Sequence, residues 1–160
     1  SIRRQRQMCI RDRYTIVAME LIQEIPMEEG LKRHFLTVYE NQVEALKRYA
    51  DPETGLWHTV IDDPDSYLEL SASAAFLRGI MQGVRLGILK REEYEGLIEK
   101  AVKGLLDNID DDGTVKNVSY GTPIGLDKEF YNKIPCCPMT YGQALMILAL
   151  QEALTDYWHS

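Results

Sequence analysis

Cysteine is scarce in this chain. There are three among 160 residues, and two of those, Cys136 and Cys137, are adjacent. That arrangement offers neither a disulfide framework nor a Cys-x-x-Cys metal or redox spacing, and it is compatible with a reducing compartment. Histidine is equally sparse. His34, His58 and His159 have no second His or Cys at ligand spacing, so no metal centre and no cofactor is expected. Positive charge is in deficit: the net charge of −7 argues against nucleic acid and anionic membrane as partners. No uninterrupted apolar run is long enough to span a bilayer. What is present is ordinary for one globular domain with a real core, namely 45% hydrophobic and 27% charged residues.

Residues 1–13 have no turn, cap or amphipathic pattern leading into Tyr14. Met8-Cys9-Ile10-Arg11-Asp12 reads as the translation of a transposon end used for sequencing libraries, so the segment is excluded from fold reasoning. On that reading the chain starts part-way through a longer protein. From Tyr14 to Ile25 apolar residues run around most of a helix, which predicts burial on more than one side, and Pro26 ends it. The next helix carries a single apolar stripe through Leu31, Phe35, Val38, Leu46 and Tyr49. Leu70 to Leu89 is small and apolar, with Ser71, Ala72, Ser73, Ala74, Gly79 and Gly83, which permits close approach of a backbone or a ligand. Glu92 to Ile109 again shows one stripe. Met139 to Tyr157 is apolar almost all round and is predicted to be buried.

Five helices thus alternate between buried and amphipathic, with two long loops between them. Both loops open alike, with Asp51 before Gly55 and Asp110 before Gly113, and each is followed by a strand-like run, Leu56 to Ile61 and Thr114 to Ser119. The two glycines are 58 residues apart (113 − 55 = 58), longer than the roughly 33 to 47 residues of the common two-helix solenoids. Alternation of this kind suits two concentric rings, with the long loops together on a functional rim.

The stretch from Thr54 to Glu69, continued by Ser71-Ala72-Ser73-Ala74, resembles glycoside hydrolase family 105, a relative of family 88. Gly121-Thr122-Pro123-Ile124-Gly125 and Pro138-Met139-Thr140-Tyr141-Gly142-Gln143 carry the same likeness, which extends over Tyr14 to about Tyr157. The resemblance implies an all-α fold, an (α/α)6 barrel that is incomplete here, with residues 14–160 forming its C-terminal half. It also implies a hydrolase that removes 4,5-unsaturated uronic acid from the non-reducing end of pectin-derived oligosaccharides. An aspartate protonates the sugar's double bond, water adds at C5, and the hemiketal opens to release the glycan. The family's catalytic aspartates belong to the first half of the barrel, so no catalytic residue is named in this chain. The rival readings are a family 88 glucuronyl hydrolase and a non-catalytic helical-repeat module that binds carbohydrate or another partner.

The candidate substrate-binding residues are Trp57, His58, Tyr67, Glu69, Ser71, Tyr120, Gly121 and Thr122. Trp57 suits either stacking on a sugar or pinning its loop to the rim. His58 can donate to a hydroxyl or carboxylate. Glu69 suits either a sugar hydroxyl or a helix N-terminus, the structural role being favoured. Ser71 sits nearer the loop rim than Ser73. The family likeness places Tyr120, Gly121 and Thr122 near the pocket. Asp110-Asp111-Asp112-Gly113 lacks the alternation of a calcium loop and reads as a turn. Asp62, Asp63 and Asp65 read as a solvated tip, and Cys136-Cys137 as small buried residues. The expected partner is an unsaturated oligosaccharide. Self-association is also expected, through inner-helix surface left uncovered around Ala144 to Leu150.

Overall fold

The computed structural model describes residues 14–123, 125 and 127–154; residues 1–13 and the final residues of the last predicted helix lie outside them. Residues 14–24 are helical (α1). They are followed by α2, Glu29–Tyr49, α3, Leu70–Arg85, α4, Arg91–Leu106, α5, Lys128–Asn132, and α6, Thr140–Glu152. All but α5 answer to a helix expected from periodicity. The two strand-like runs are reduced to isolated antiparallel bridges: His58 with Leu68, Ile109 with Val115, and Ser119 with Cys136.

The inner and outer roles follow the distribution of apolar residues. On α3 every residue from Leu70 to Val84 except Arg78 is buried. Its neighbour α2 buries only Tyr39, Val43 and Leu46, and α4 buries Tyr94, Ile98, Ala101, Gly104 and Leu105. The inner helix packs most extensively on α6 and also on α4. It meets α1 through Gly79, where an added Cβ would collide with the carbonyl oxygen and methyl of Thr15. Tyr39 on α2 donates its hydroxyl to the Gly79 carbonyl at 2.6 Å, so the small residues of α3 admit backbones and side chains from two helices at one level. Two ion pairs brace the ring further. Arg78 pairs with Glu20 of α1, and Arg85 with Glu152 of α6 at 2.7 Å.

The prediction of full burial fails for α6. Gly142, Met146, Ala149 and Glu152 are buried, but Ile147 is 58% exposed and Leu154, just beyond the helix, 67%. One face of α6 packs on α3 and no described element covers the opposite face. On α1, Ala18 and Met19 are buried whereas Val17 is exposed.

Both long loops lie on one rim, as expected. The Leu70 N–H donates to the Asn117 carbonyl at 3.1 Å, and Lys128 on α5 sits 3.4 Å from Asp62 in the first loop. That ion pair also corrects the picture of Asp62 and Asp63 as merely solvated, since Lys128 reaches Asp63 as well. Asp110 to Gly113 is a turn, closed by Gly113 N–H to the Asp110 carbonyl at 2.8 Å. The two loop-opening glycines both have left-handed backbones, φ +70° at Gly55 and +85° at Gly113, so the shared opening motif is a shared turn geometry.

Candidate functional site

The rim is built from the first loop upward. Asp51 Oδ1 accepts the Thr54 N–H and hydroxyl, each at 2.7 Å, and the Glu53 N–H at 3.1 Å, which folds the Asp-Pro-Glu-Thr-Gly segment into a tight turn. Gly55 then passes so close to α4 that a Cβ there would lie 2.8 Å from the Ala101 nitrogen. Burial pushes the Asp51 carboxyl up, but the Thr54 and Glu53 hydrogen bonds and neighbouring His58 outweigh it and hold the group below the ordinary aspartate range.

Trp57 follows, and its ring leaves the rim altogether. The side chain is fully buried, its Nε1–H donates to the Leu46 carbonyl at 2.8 Å, and its ring meets Phe76 edge-on. The sugar-stacking expectation is therefore corrected to the pinning role: an indole with no exposed face and a committed N–H has nothing to offer a ligand. His58 is half-buried and turned inward. Its Nδ1 lies 2.5 Å from the Ser66 carbonyl oxygen, which identifies it as the protonated nitrogen, and its Nε2 lies 3.8 Å from Asp51. The imidazole thus closes its own loop. Tyr67 is half-buried. Its hydroxyl is buried with no hydrogen-bond partner among the described residues, beside the Thr59 and Cys136 side chains, and burial pushes the phenol up to about 12.

Glu69 is the junction of the two loops. It is 5% exposed and stands at the N-cap of α3, where its carboxylate accepts the Ala72 N–H at 2.7 Å, the Ser71 N–H at 3.3 Å and the Ser71 hydroxyl at 2.8 Å. The same carboxylate accepts the N–H of Ser119, from the second loop, at 3.1 Å. Glu69 and Ser71 are therefore withdrawn from the set of free sugar-binding groups: each is buried and satisfied by the other. Burying a carboxylate is tolerable only when it is this fully hydrogen-bonded.

Beyond Ser119 the chain returns to solvent. Tyr120 is 67% exposed, Thr122 is exposed, and Gly121 has φ +133° with open space where a side chain would be. Of the eight candidates, these three present polar or aromatic groups outward, and Glu69 links them to the first loop. Cys136 is exposed rather than buried and Cys137 half-buried, on a segment bridged to Ser119. Two contributors escape sequence reasoning. The Tyr141 hydroxyl donates to the Ser119 carbonyl, and Gln143 on α6 donates to the Gly113 carbonyl at 2.7 Å. Tyr141 and Gln143 belong to the segment that carries the family likeness, a signal that marks them without telling their role. The helix α5 does have a local signal, Asp127 as N-cap accepting the Phe130 N–H at 2.8 Å.

Residues 14–157 match the sequence profile of Glycosyl Hydrolase Family 88. The unsaturated rhamnogalacturonyl hydrolase YesR of Bacillus subtilis is 34% identical over 141 residues, which cover 86% of this chain and 39% of YesR. Among solved structures, a possible member of the GH105 family from Salmonella enterica serovar Paratyphi A superposes with a TM-score of 0.84 at 39% identity, over 91% of this chain and 39% of the other. A possible GH105 member from Klebsiella pneumoniae gives 0.83 at 40% identity, over 91% of this chain and 38% of the other. The chain thus spans about two-fifths of the length of the relatives it matches. Its alternating helices are an incomplete (α/α)6 barrel.

Proposed function

The chain belongs to Glycosyl Hydrolase Family 88, and from that premise we propose that it is the C-terminal part of an enzyme releasing 4,5-unsaturated uronic acid from the non-reducing ends of pectin-derived, rhamnogalacturonan-type oligosaccharides. The observation that carries this reading is the joining of the two likeness-bearing loops on one rim, through Glu69 and Ser119, with Tyr120, Gly121 and Thr122 facing outward. An exposed tyrosine ring can cover the C–H face of a sugar. The Thr122 hydroxyl and the uncovered Gly121 backbone add hydrogen-bonding groups beside it. These groups bind and orient. The acid/base aspartate that protonates the double bond before water adds at C5 lies elsewhere in the barrel, outside this chain. The same reading includes self-association of the isolated chain through the uncovered apolar face of α6.

The test is loss of the ultraviolet absorbance of the 4,5-unsaturated sugar, measured on the longer enzyme and on this chain at equal concentration with galacturonyl and glucuronyl disaccharides in parallel. Orientation by the rest of the pocket supplies on the order of 7–11 kcal/mol of a barrier, so this chain alone is expected to show no turnover. Comparable turnover by both would overturn the placement of the acid/base group. Faster turnover of the glucuronyl substrate would favour that specificity, and binding without turnover by the longer protein a non-catalytic module.

A further inference from the structure

We propose that Glu69 and Tyr141 are positioning residues that grip Ser119 from both sides and so set the stance of Tyr120 on the rim; this rests on the reading that Tyr120 faces sugar. The carboxylate of Glu69 does more than cap α3. Capping requires an oxygen near the first free N–H groups of the helix, and a side chain as short as Asp or Ser supplies it. The extra methylene of Glu brings Oε1 within 3.1 Å of the Ser119 N–H, fifty residues away, while the N–H groups of Ser71 and Ala72 stay bonded.

The Ser119 carbonyl is held by the Tyr141 hydroxyl from α6. The next residue is held as well, since the Tyr120 N–H donates to the Pro135 carbonyl at 2.9 Å, and Cys137 N–H to the Val118 carbonyl at 2.8 Å. Tyr120 therefore stands at the end of a backbone fixed to α3, to α6 and to the 135–137 segment. Its side chain is 67% exposed, so its placement is set by that backbone more than by packing. Immediately afterwards Gly121, at φ +133°, turns the chain into open space. A backbone held this way needs no ordering when a ligand arrives, so the cost left on binding is that of the Tyr120 side chain alone.

The test uses the longer enzyme and three variants. Glu69→Asp keeps the preferred N-cap chemistry but is too short to serve α3 and Ser119 together. It is expected to lower the melting temperature by a few degrees, because the buried Ser119 N–H loses its partner, and to raise KM about fivefold or more with kcat retained, the signature of lost uniform binding. Tyr141→Phe, which frees the Ser119 carbonyl alone, should shift KM in the same direction and serves if Glu69→Asp fails to fold. Tyr120→Ala should raise KM by itself, and adding Glu69→Asp or Tyr141→Phe to it should have no further effect on KM, because residues that act through one another are not additive. If Tyr120→Ala raises KM but both positioning variants leave it unchanged, or if their effects add to that of Tyr120→Ala, the positioning proposal is overturned and the sugar-facing reading survives. If Tyr120→Ala leaves KM unchanged, the sugar-facing reading itself falls, and this proposal with it.

Discussion

Trp57 and Phe76 meet edge to face in the centre of the molecule, ring centroids 5.4 Å apart and planes at 73°. The contact joins the first long loop to the inner helix α3, and the indole N–H ties the same loop to the end of α2 at the Leu46 carbonyl. One side chain thereby locks three elements. Trp57→Ala should cost about 3–5 kcal/mol of stability, as for other large aromatic truncations in a core. Trp57→Phe keeps much of the packing but removes the indole hydrogen bond to the Leu46 carbonyl, at about 1 kcal/mol. Chemical denaturation distinguishes the two. A Trp57→Ala variant that melts like the parent would contradict the core assignment.

Two glycines within helices should respond with opposite signs to the same change. Gly96 on α4 has nothing within 4 Å of an added Cβ, so Gly96→Ala should stabilise by up to about 1 kcal/mol through helix propensity. Gly79 on α3 would drive its Cβ into Thr15, and Gly79→Ala should destabilise by about 1–3 kcal/mol despite the same propensity gain. Urea midpoints of the two variants measured side by side decide the matter.

Tyr67 predicts an alkaline weakness. Its phenol titrates at about 12 in the folded chain against 10.0 when unperturbed. The neutral form is thus favoured by folding, the associated stability is intact below pH 10, and it drains away as pH rises from 10 to about 12. Tyr39, Tyr14, Tyr94 and Tyr141 are also raised by burial, so Tyr67→Phe should shrink the alkaline loss without abolishing it. At neutral pH the same variant should cost little, because it removes a buried hydroxyl that has no partner among the described residues. Melting temperatures from pH 8 to 12 give the comparison.

The uncovered face of α6 predicts association. Ile147 on α6 and Leu154 just beyond it are 58% and 67% exposed, while the other side of the helix is core, and contiguous apolar surface beyond a few hundred Å² favours contact between molecules. The 160-residue chain should dimerise or aggregate at micromolar concentration, and Ile147→Glu with Leu154→Glu should move it toward the monomer in light scattering. A parent chain that is already monomeric with a sharp melt would count against this.

The division between what local sequence set and what packing set is clear at particular residues. The apolar stripes of α2 and α4 announced outer helices, and the small residues of α3 an inner one, because helix periodicity is written residue by residue. The turns at Asp51–Gly55 and Asp110–Gly113 were equally legible, since their side-chain and backbone requirements are local. The fate of Trp57 was not. A tryptophan in a loop can stack on a ligand or fill a core, and only the juxtaposition of Leu46 and Phe76 made it core. For Glu69 the sequence showed a carboxylate at a helix start, but its reach to Ser119 depends on a loop fifty residues away. The uniform apolarity of α6 likewise told of two faces able to be buried; the arrangement of the other helices covered one of them. Sequence by itself determined the five longer helices, though not the short α5, and how much of each could be hidden. Tertiary structure decided which polar groups were consumed in holding the rim together and which, at Tyr120 to Thr122, were left facing outward, because hydrogen-bond partners and solvent exposure are properties of distant residues brought together.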